Sequence, residues 1–116
     1  MTTRSPKSAI SNKLLTTSEG DTEYTVPANS VFTISACTLN NTTGTARTVT
    51  INVIPSGDTA SSDNQVATAL PVAASGASPT TVPGLVGHHI EGGGKINFVA
   101  DAGAAVSCLL SWYLTQ

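Results

Sequence analysis

The sequence predicts an all-β fold, a jelly-roll-like β-sandwich with an extended N-terminal arm. About six to eight short segments rich in Val, Ile and Thr alternate apolar and polar residues, as strands with one buried face do. Turn-forming Gly, Pro, Asn and Asp separate these segments at the spacing typical of sandwiches and jelly rolls. No segment with a helical period exceeds a turn or two. The 116 residues fit one domain.

The N-terminal segment differs in composition from the rest of the chain. Residues 1–22 are polar, and their apolar side chains are Ile10, Leu14 and Leu15. We therefore assign residues 1–22 to the N-terminal arm and residues 23–116 to the β-sandwich domain. Such an arm is expected to lie along its own domain or on a neighbouring subunit, because termini that contact nothing are seldom ordered.

The domain divides into strands and turns. The predicted strands cover residues 24–26, 31–39, 47–54, 65–74, 95–100 and 104–114, of which the last is the longest and the segment at 65–74, broken by Pro71, the weakest. Residues 40–46 are predicted to be a hairpin connection with Gly44 at positive φ. The triple glycine at residues 92–94 predicts a turn or a close backbone approach.

Alternation within the strands predicts the core. In the last strand one face carries Val106, Cys108, Leu110, Trp112 and Leu114, so Trp112 is expected in the core. The strand at 47–54 directs Val49, Ile51 and Val53 to one face, and the strand at 95–100 directs Ile96 and Phe98 to one face. In the strand at 31–39, Phe32, Ile34 and Ala36 share one face, whereas Cys37 and Leu39 share the other. The pattern there does not indicate which face is the core.

Composition limits the function classes. Charged residues make up 10 % of the chain and the formal net charge is -2, so the chain is expected to fold with a hydroxyl-rich, nearly neutral surface suited to packing against neighbours. The five Lys and Arg are too dispersed for a nucleic-acid footprint. No apolar run approaches the ~20 residues of a membrane span.

The sequence shows no signal-peptide pattern, so we expect the protein to be made in a cytosol. In that reducing compartment Cys37 and Cys108 are expected to stay free, as buried thiols.

No catalytic constellation is present in the sequence, so we expect a non-enzymatic protein without cofactors. His88 and His89 are adjacent, and adjacent strand residues point to opposite faces, so a zinc site would need Glu91 and further ligands or a symmetry axis. Asp58 and Asp63 are too few donors for a calcium loop. The expected assignment is no metal site, although an ion shared by His88 and His89 at an interface stays open.

One stretch resembles a known group of proteins. YTVPAN at residues 24–29, followed by an apolar strand and then by NNTTGTARTVTINVIPSG at residues 40–57, is similar to a pattern in small β-sandwich structural proteins of tailed bacteriophages. Those proteins are virion, capsid-decoration or fibre components. The resemblance covers under a third of the chain closely. It departs at residues 85–94, where a strand and an Ala-Gly-Asp turn would be expected.

The resemblance implies a structural component of a phage virion. We expect a capsid decoration protein that assembles in the host cytoplasm, binds the major capsid protein and forms a homo-oligomer, with a trimer favoured. The arm is the expected attachment element, so deleting residues 2–20 should leave the domain folded but abolish particle binding. The alternatives are a tail, collar or fibre component of the virion and a carbohydrate-binding module. For the last, the available aromatic residues are Tyr24, Trp112 and Tyr113.

Overall fold

The computed structural model describes residues 4–17, 23–75, 80–103 and 105–115. The described chain is all-β, as the sequence predicts, and its strands form two antiparallel sheets. Its helical segments are single 3-10 turns at Ser62–Asn64 and Pro83–Leu85. In chain order the strands are β1 (Arg4–Leu14), β2 (Glu23–Thr25), β3 (Val31–Asn41), β4 (Arg47–Ile54), β5 (Gln65–Val72), β6 (Thr80–Thr81), β7 (His89–Glu91), β8 (Lys95–Ala100) and β9 (Val106–Thr115).

The chain passes repeatedly between the two sheets. Sheet 1 has the strand order β1-β9-β3-β6, with β7 also paired to β3, and sheet 2 has the order β2-β8-β4-β5. Most connections therefore join a strand of one sheet to a strand of the other. Only β4–β5 and β6–β7 connect strands of the same sheet within the described residues.

The predicted hairpin at residues 40–46 is wrong. Its flanking strands, β3 and β4, belong to different sheets, so the segment is a connection between sheets. Buried Asn41 shapes it: Nδ2 donates to the carbonyl oxygens of Thr45 (2.6 Å) and Val72 (3.4 Å), and Oδ1 accepts from the amide of Thr43 (2.9 Å). An Asn side chain thus supplies the turn, and Gly44 does not adopt the positive φ expected of it.

One cluster of buried side chains joins the two sheets. Among its largest fully buried side chains are Phe32, Ile34, Leu39 and Leu110 from sheet 1 and Ile51, Ile96 and Phe98 from sheet 2. The predicted inward faces of β4, β8 and β9 are confirmed, and Trp112 lies in the core. Strands β1 and β3 have 11 residues each and β9 has 10, so β9 is not the longest strand.

A β-bulge explains why alternation did not identify the core face of β3. Pairing with β9 shifts between Ile34 and Ala36, so the side chains change face at this point. Phe32 and Ile34 are buried before the bulge, and Cys37 and Leu39 are buried after it. Ala36, grouped with Phe32 by strict alternation, is exposed instead.

The N-terminal segment has a place in the chain's own sheet. β1 pairs with β9 from Arg4↔Thr115 to Leu14↔Ser107, with two register shifts. After it, Leu15 is fully buried and its amide donates to the carbonyl of Val106 (2.8 Å). A separate arm is therefore not confirmed, and residues 1–3 and 18–22 of the predicted arm lie outside the described residues.

The triple glycine forms the turn between β7 and β8, as predicted, and it also provides the close approach. Gly93 has φ +88°. A Cβ on Gly92 would lie 2.8 Å from the carbonyl oxygen of Pro27, and one on Gly94 would lie 3.1 Å from that of Ile54. Because backbone atoms cannot yield as a flexible side chain can, the packing of this turn between the sheets requires glycine.

Candidate functional site

The outward side of β3 and β9 forms a broad surface that carries no charge. We call it the open face, and its members are Thr33, Ala36, Thr38, Asn40, Ser107, Leu109, Ser111 and Tyr113. They pair across the two strands as Thr33↔Tyr113, Ala36↔Ser111, Thr38↔Leu109 and Asn40↔Ser107. Their strand neighbours point into the core, so alternation places these side chains on the outside.

Apolar groups lie at the middle and one end of the open face. Leu109 is 40 % exposed and Tyr113 is 36 % exposed, although both belong to a central strand. Single exposed apolar residues are ordinary on protein surfaces. Here they are surrounded by Ser, Thr and Ala rather than by charged side chains.

A concavity of about 220 Å³ adjoins the open face beside the segment that connects β6 to β7. It is lined by Ala36, Cys37, Thr38, Thr81, Val82, Pro83 and Val86. Val82 donates its amide to the carbonyl of Cys37 (3.1 Å), which fixes one wall to β3. Val86, 51 % exposed, forms part of the rim. The lining is predominantly apolar, so the concavity suits an apolar side chain.

The outward side of sheet 2 contrasts with the open face, since the chain covers it with the connection between β4 and β5. Asn52 and Asn97 lie opposite each other on this side, and both are buried. Nδ2 of Asn52 donates to the carbonyl of Ser61 (3.0 Å) and to Oδ1 of Asn64 (2.7 Å). The amide of Ser61 donates to that same Oδ1 (3.1 Å). We call this surface the covered face.

The charged side chains of Glu23, Lys95, Asp58 and Asp63 belong to sheet 2 or to the connection over it, whereas Glu91 borders the open face. Glu23 and Lys95 face each other across β2 and β8 at 4.0 Å, a distance at the limit of an ion pair. Glu91 pairs with Val31 on the same outward side of sheet 1 as Thr33 and His89. Asp58 and Asp63 lie in the connection over sheet 2.

The predicted metal ligands do not converge. His88 and His89 are exposed, and Nδ1 of His89 lies 2.8 Å from the hydroxyl of Thr33. Glu91 shares a face of β7 with His89, as the spacing predicts. No group of three His, Cys, Asp or Glu side chains able to hold an ion occurs among the residues that the structure describes.

The two thiols are core groups. Cys37 and Cys108 lie on the adjacent strands β3 and β9, and both are buried and free, as predicted. The hydrogen bond to Cys37, together with burial, raises the pKa of the Cys108 thiol. Since the thiolate is the nucleophile, a buried thiol held protonated is unreactive.

The aromatic residues do not build a platform for a sugar ring. Trp112 packs on Phe32 with ring centroids 4.8 Å apart, and Tyr24 packs on Trp112 at 4.8 Å. This cluster belongs to the core, and burial raises the pKa of the Tyr24 phenol. Tyr113 lies on the opposite side of β9, so it does not join Tyr24 in one surface.

A second depression of about 310 Å³ lies where the end of β4 meets β7. Val53, Ile54 and Ile90 contribute apolar atoms, and Ser56, His89 and Glu91 contribute polar ones.

Comparison with protein-family models, with curated proteins and with solved structures gave no match. No helix in the described part of the chain is long and apolar enough to cross a membrane. The candidate site therefore stands on its own geometry.

Sequence reasoning found the β9 residues of the open face but not those of β3, where the bulge after Ile34 changes the face. The alternation in β9 correctly placed Ser107, Leu109, Ser111 and Tyr113 together. Nothing local to these residues reveals that the equivalent side of sheet 2 is covered and theirs is not. That difference depends on where a connection distant in sequence folds.

Proposed function

We propose that this protein is a structural component of a tailed-phage virion, most specifically a capsid decoration protein that binds the shell surface and stabilises it. The observation that carries the proposal is the open face, a sheet surface without charge on which apolar side chains stay exposed. Cores of protein interfaces are depleted in charged residues in the same way. The resemblance of residues 24–57 to small phage structural proteins supports the choice of particle.

The finer fold description belongs to this proposal. Two antiparallel sheets that share one core, with a chain that changes sheet at most connections, support a jelly-roll-like β-sandwich. The N-terminal segment is then an arm laid along its own sheet as β1. Residues 23–116 form the remainder of the domain.

The mechanism is one of area and symmetry. Each copy contacts neighbouring shell subunits, and each contact must be broken before the shell opens. A protein that binds the closed shell and not the open one raises the free energy of opening by mass action. No reaction and no cofactor is needed for this function.

The test is binding to shells that lack the protein. Light scattering gives the mass of the purified chain, and sedimentation with stripped particles gives the bound fraction. We expect saturable binding at a fixed number of copies per shell and a higher temperature of shell opening. Absence of binding to the shell, with binding to isolated tails or fibres, would assign the protein to that part of the virion instead.

A further inference from the structure

We propose that the unpaired edge of β7 binds an extended segment of a second protein, which joins sheet 1 as an additional strand. The site is the depression of about 310 Å³ between β7 and the end of β4, which we call the β7 groove. The proposed function makes the shell protein the source of the segment, and in that respect the inference rests on it. Strand addition of this kind supplies affinity through main-chain hydrogen bonds.

The backbone of β7 offers hydrogen-bonding groups that its own sheet does not use. The amide of Ile34 donates to the carbonyl of His88 (3.1 Å). Bonded residues alternate along antiparallel strands, so Ile90 also directs its backbone groups to β3. The amide and carbonyl of His89 and the amide of Glu91 therefore point away from β3. Among the described residues, no turn, loop or side-chain bond engages these three groups.

The β7 groove lies on the unpaired side of the strand. Its lining includes all of β7, His89–Glu91, and none of the described residues of β3. The opposite wall is formed by residues 53–56, at the end of β4 and in the turn that follows. A volume of about 310 Å³ is at the small end of the roughly 300–1,000 Å³ typical of ligand sites, so the groove suits a few residues of extended chain.

The register of an added antiparallel strand determines which side chain enters the groove. One residue of the segment exchanges both backbone bonds with His89, and the residue two positions before it accepts from the amide of Glu91. The residue between them lies opposite Ile90, which is directed inward and buried. Its side chain therefore meets the apolar atoms of Val53, Ile54 and Ile90, so this position of the segment is apolar.

Charge determines the first position of the segment. Glu91 is exposed and carries the one carboxylate of the groove lining. Side chains directly opposite each other across two strands interact, and opposite charges stabilise the pair whereas like charges destabilise it. The position opposite Glu91 therefore favours lysine or arginine and disfavours an acidic residue. In chain order the segment reads cation, apolar residue and a third residue opposite His89, for which a hydroxyl side chain is suitable.

The edge of sheet 2 that β5 forms does not offer the same site. Pro71 lies in β5 and has no amide hydrogen to donate. Ala69, also in β5, has φ +49°, which interrupts the extended backbone that an added strand would need. Such irregularities protect edge strands from further pairing. β7 carries neither a proline nor a positive φ within its described residues.

Short peptides test the register. The probe is acetyl-Ser-Lys-Val-Thr-Ser-amide, titrated into the isotopically labelled full chain while the amide NMR resonances are recorded. We expect saturable shifts of the His89 and Glu91 amides and a smaller shift of the Ile90 amide, which already bonds to β3. Absence of saturable shifts at His89 and Glu91 overturns the inference.

Two N-methylated peptides are the matched controls, and they require no change in the protein. Methylation of the threonine amide removes the donor that meets the carbonyl of His89, whereas methylation of the valine amide removes a donor that points away from β7. We expect the first to raise the dissociation constant about tenfold and the second to change it by less than about threefold. Equal effects of the two would contradict strand addition.

A charge exchange tests the position opposite Glu91. Glu91→Lys should weaken binding of the lysine peptide on the order of fivefold and strengthen binding of acetyl-Ser-Glu-Val-Thr-Ser-amide. Asp101→Lys is the control, since Asp101 is also exposed but its amide bonds to Thr48 near the start of β4, at the other end of that strand. Circular dichroism establishes that both variants fold. A Glu91→Lys variant that binds both peptides as the wild type does overturns the register.

Competition on stripped shells separates this inference from the proposed function. We expect an excess of the lysine peptide to lower shell binding and the peptide methylated at threonine to leave it unchanged. Shell binding that persists while the peptide fills the groove overturns the shell as the source and leaves the decoration role standing. A filled groove in a protein that binds no part of a virion supports strand addition and contradicts the role. Shifts of His89 and Glu91 that appear without peptide as the protein concentration rises would place a second copy at this edge and overturn the assignment to another protein.

Discussion

The two sheets of this protein treat their outward sides differently. Sheet 2 is covered by residues 55–64, which hydrogen-bond to buried Asn52, whereas the open face of sheet 1 keeps Leu109 and Tyr113 exposed. Both sheets contribute to one core, so inward packing is alike. The difference teaches that the chain itself completes the covered face, whereas the open face keeps apolar side chains exposed. Changes on the two sides should therefore have different consequences.

The largest effect is expected from removing the strand that widens the open face. Deleting residues 2–20 removes β1 and also Leu15, whose side chain is fully buried. Loss of a buried leucine alone costs about 2–5 kcal/mol, against a typical total stability of about 5–15 kcal/mol. We expect the truncated chain to lose cooperative unfolding, which is the opposite of the expectation from sequence that the domain stays folded.

Urea denaturation followed by tryptophan fluorescence measures this, since Trp112 lies beside β1. The point variant Leu15→Ala, which keeps the strand, is the control for the core contribution. A truncated chain that unfolds cooperatively at the urea concentration of the full chain would show that β1 is dispensable and would restore the separate arm.

Two neighbouring leucines give the next largest contrast. Leu110 is fully buried and Leu109 is exposed on the open face. Leu110→Ala should lower the free energy of unfolding by about 2–5 kcal/mol because it leaves a cavity in the core. Leu109→Ala should change it by less than about 0.5 kcal/mol, since it is a surface substitution. Equal losses in urea titrations of the two variants would mean that the open face is packed within the monomer.

This pair also shows how much the sequence could predict. Regular alternation gave the inward and outward residues of β4, β8 and β9, because an uninterrupted strand repeats every two residues. It failed in β3, where the bulge after Ile34 changes the face of every later residue. A bulge depends on the partner strand, so it leaves no local signal in a stretch such as residues 31–41.

Topology was less predictable than strand position. The Asn-Thr-Thr-Gly stretch has the composition of a hairpin, yet β3 and β4 lie in different sheets. Turn residues indicate that the chain reverses, but only long-range pairing decides which strand it meets next. The candidate site has the same limit, because alternation grouped its residues on β9 but not those on β3, and it gave no sign of the cover over sheet 2.

Two asparagine substitutions compare how side chains on the two faces contribute to the free energy of unfolding, with a smaller expected difference than for the leucines. Asn52→Ala removes two hydrogen bonds on the covered face and leaves the carbonyl of Ser61 without that donor. The expected cost is about 1–3 kcal/mol. Asn40→Ala on the open face, where the side chain is exposed, should cost less than about 0.5 kcal/mol.

Urea denaturation of both variants, with hydrogen exchange of residues 55–64, tests this comparison. Faster exchange in Asn52→Ala and unchanged exchange in Asn40→Ala are expected. An Asn52→Ala variant with the stability of the wild type would mean that the cover is held by other contacts.

The smallest effect concerns the ion pair of sheet 2. The charged groups of Glu23 and Lys95 are 4.0 Å apart, and both side chains are partly exposed, at 26 % and 36 %. Exposed pairs contribute about 0–1 kcal/mol and are screened by salt. Glu23→Gln should therefore change the free energy of unfolding by less than about 0.5 kcal/mol, measured by urea denaturation at low and high NaCl. A loss larger than about 1 kcal/mol that disappears at high NaCl would mean that this pair contributes more than its exposure indicates.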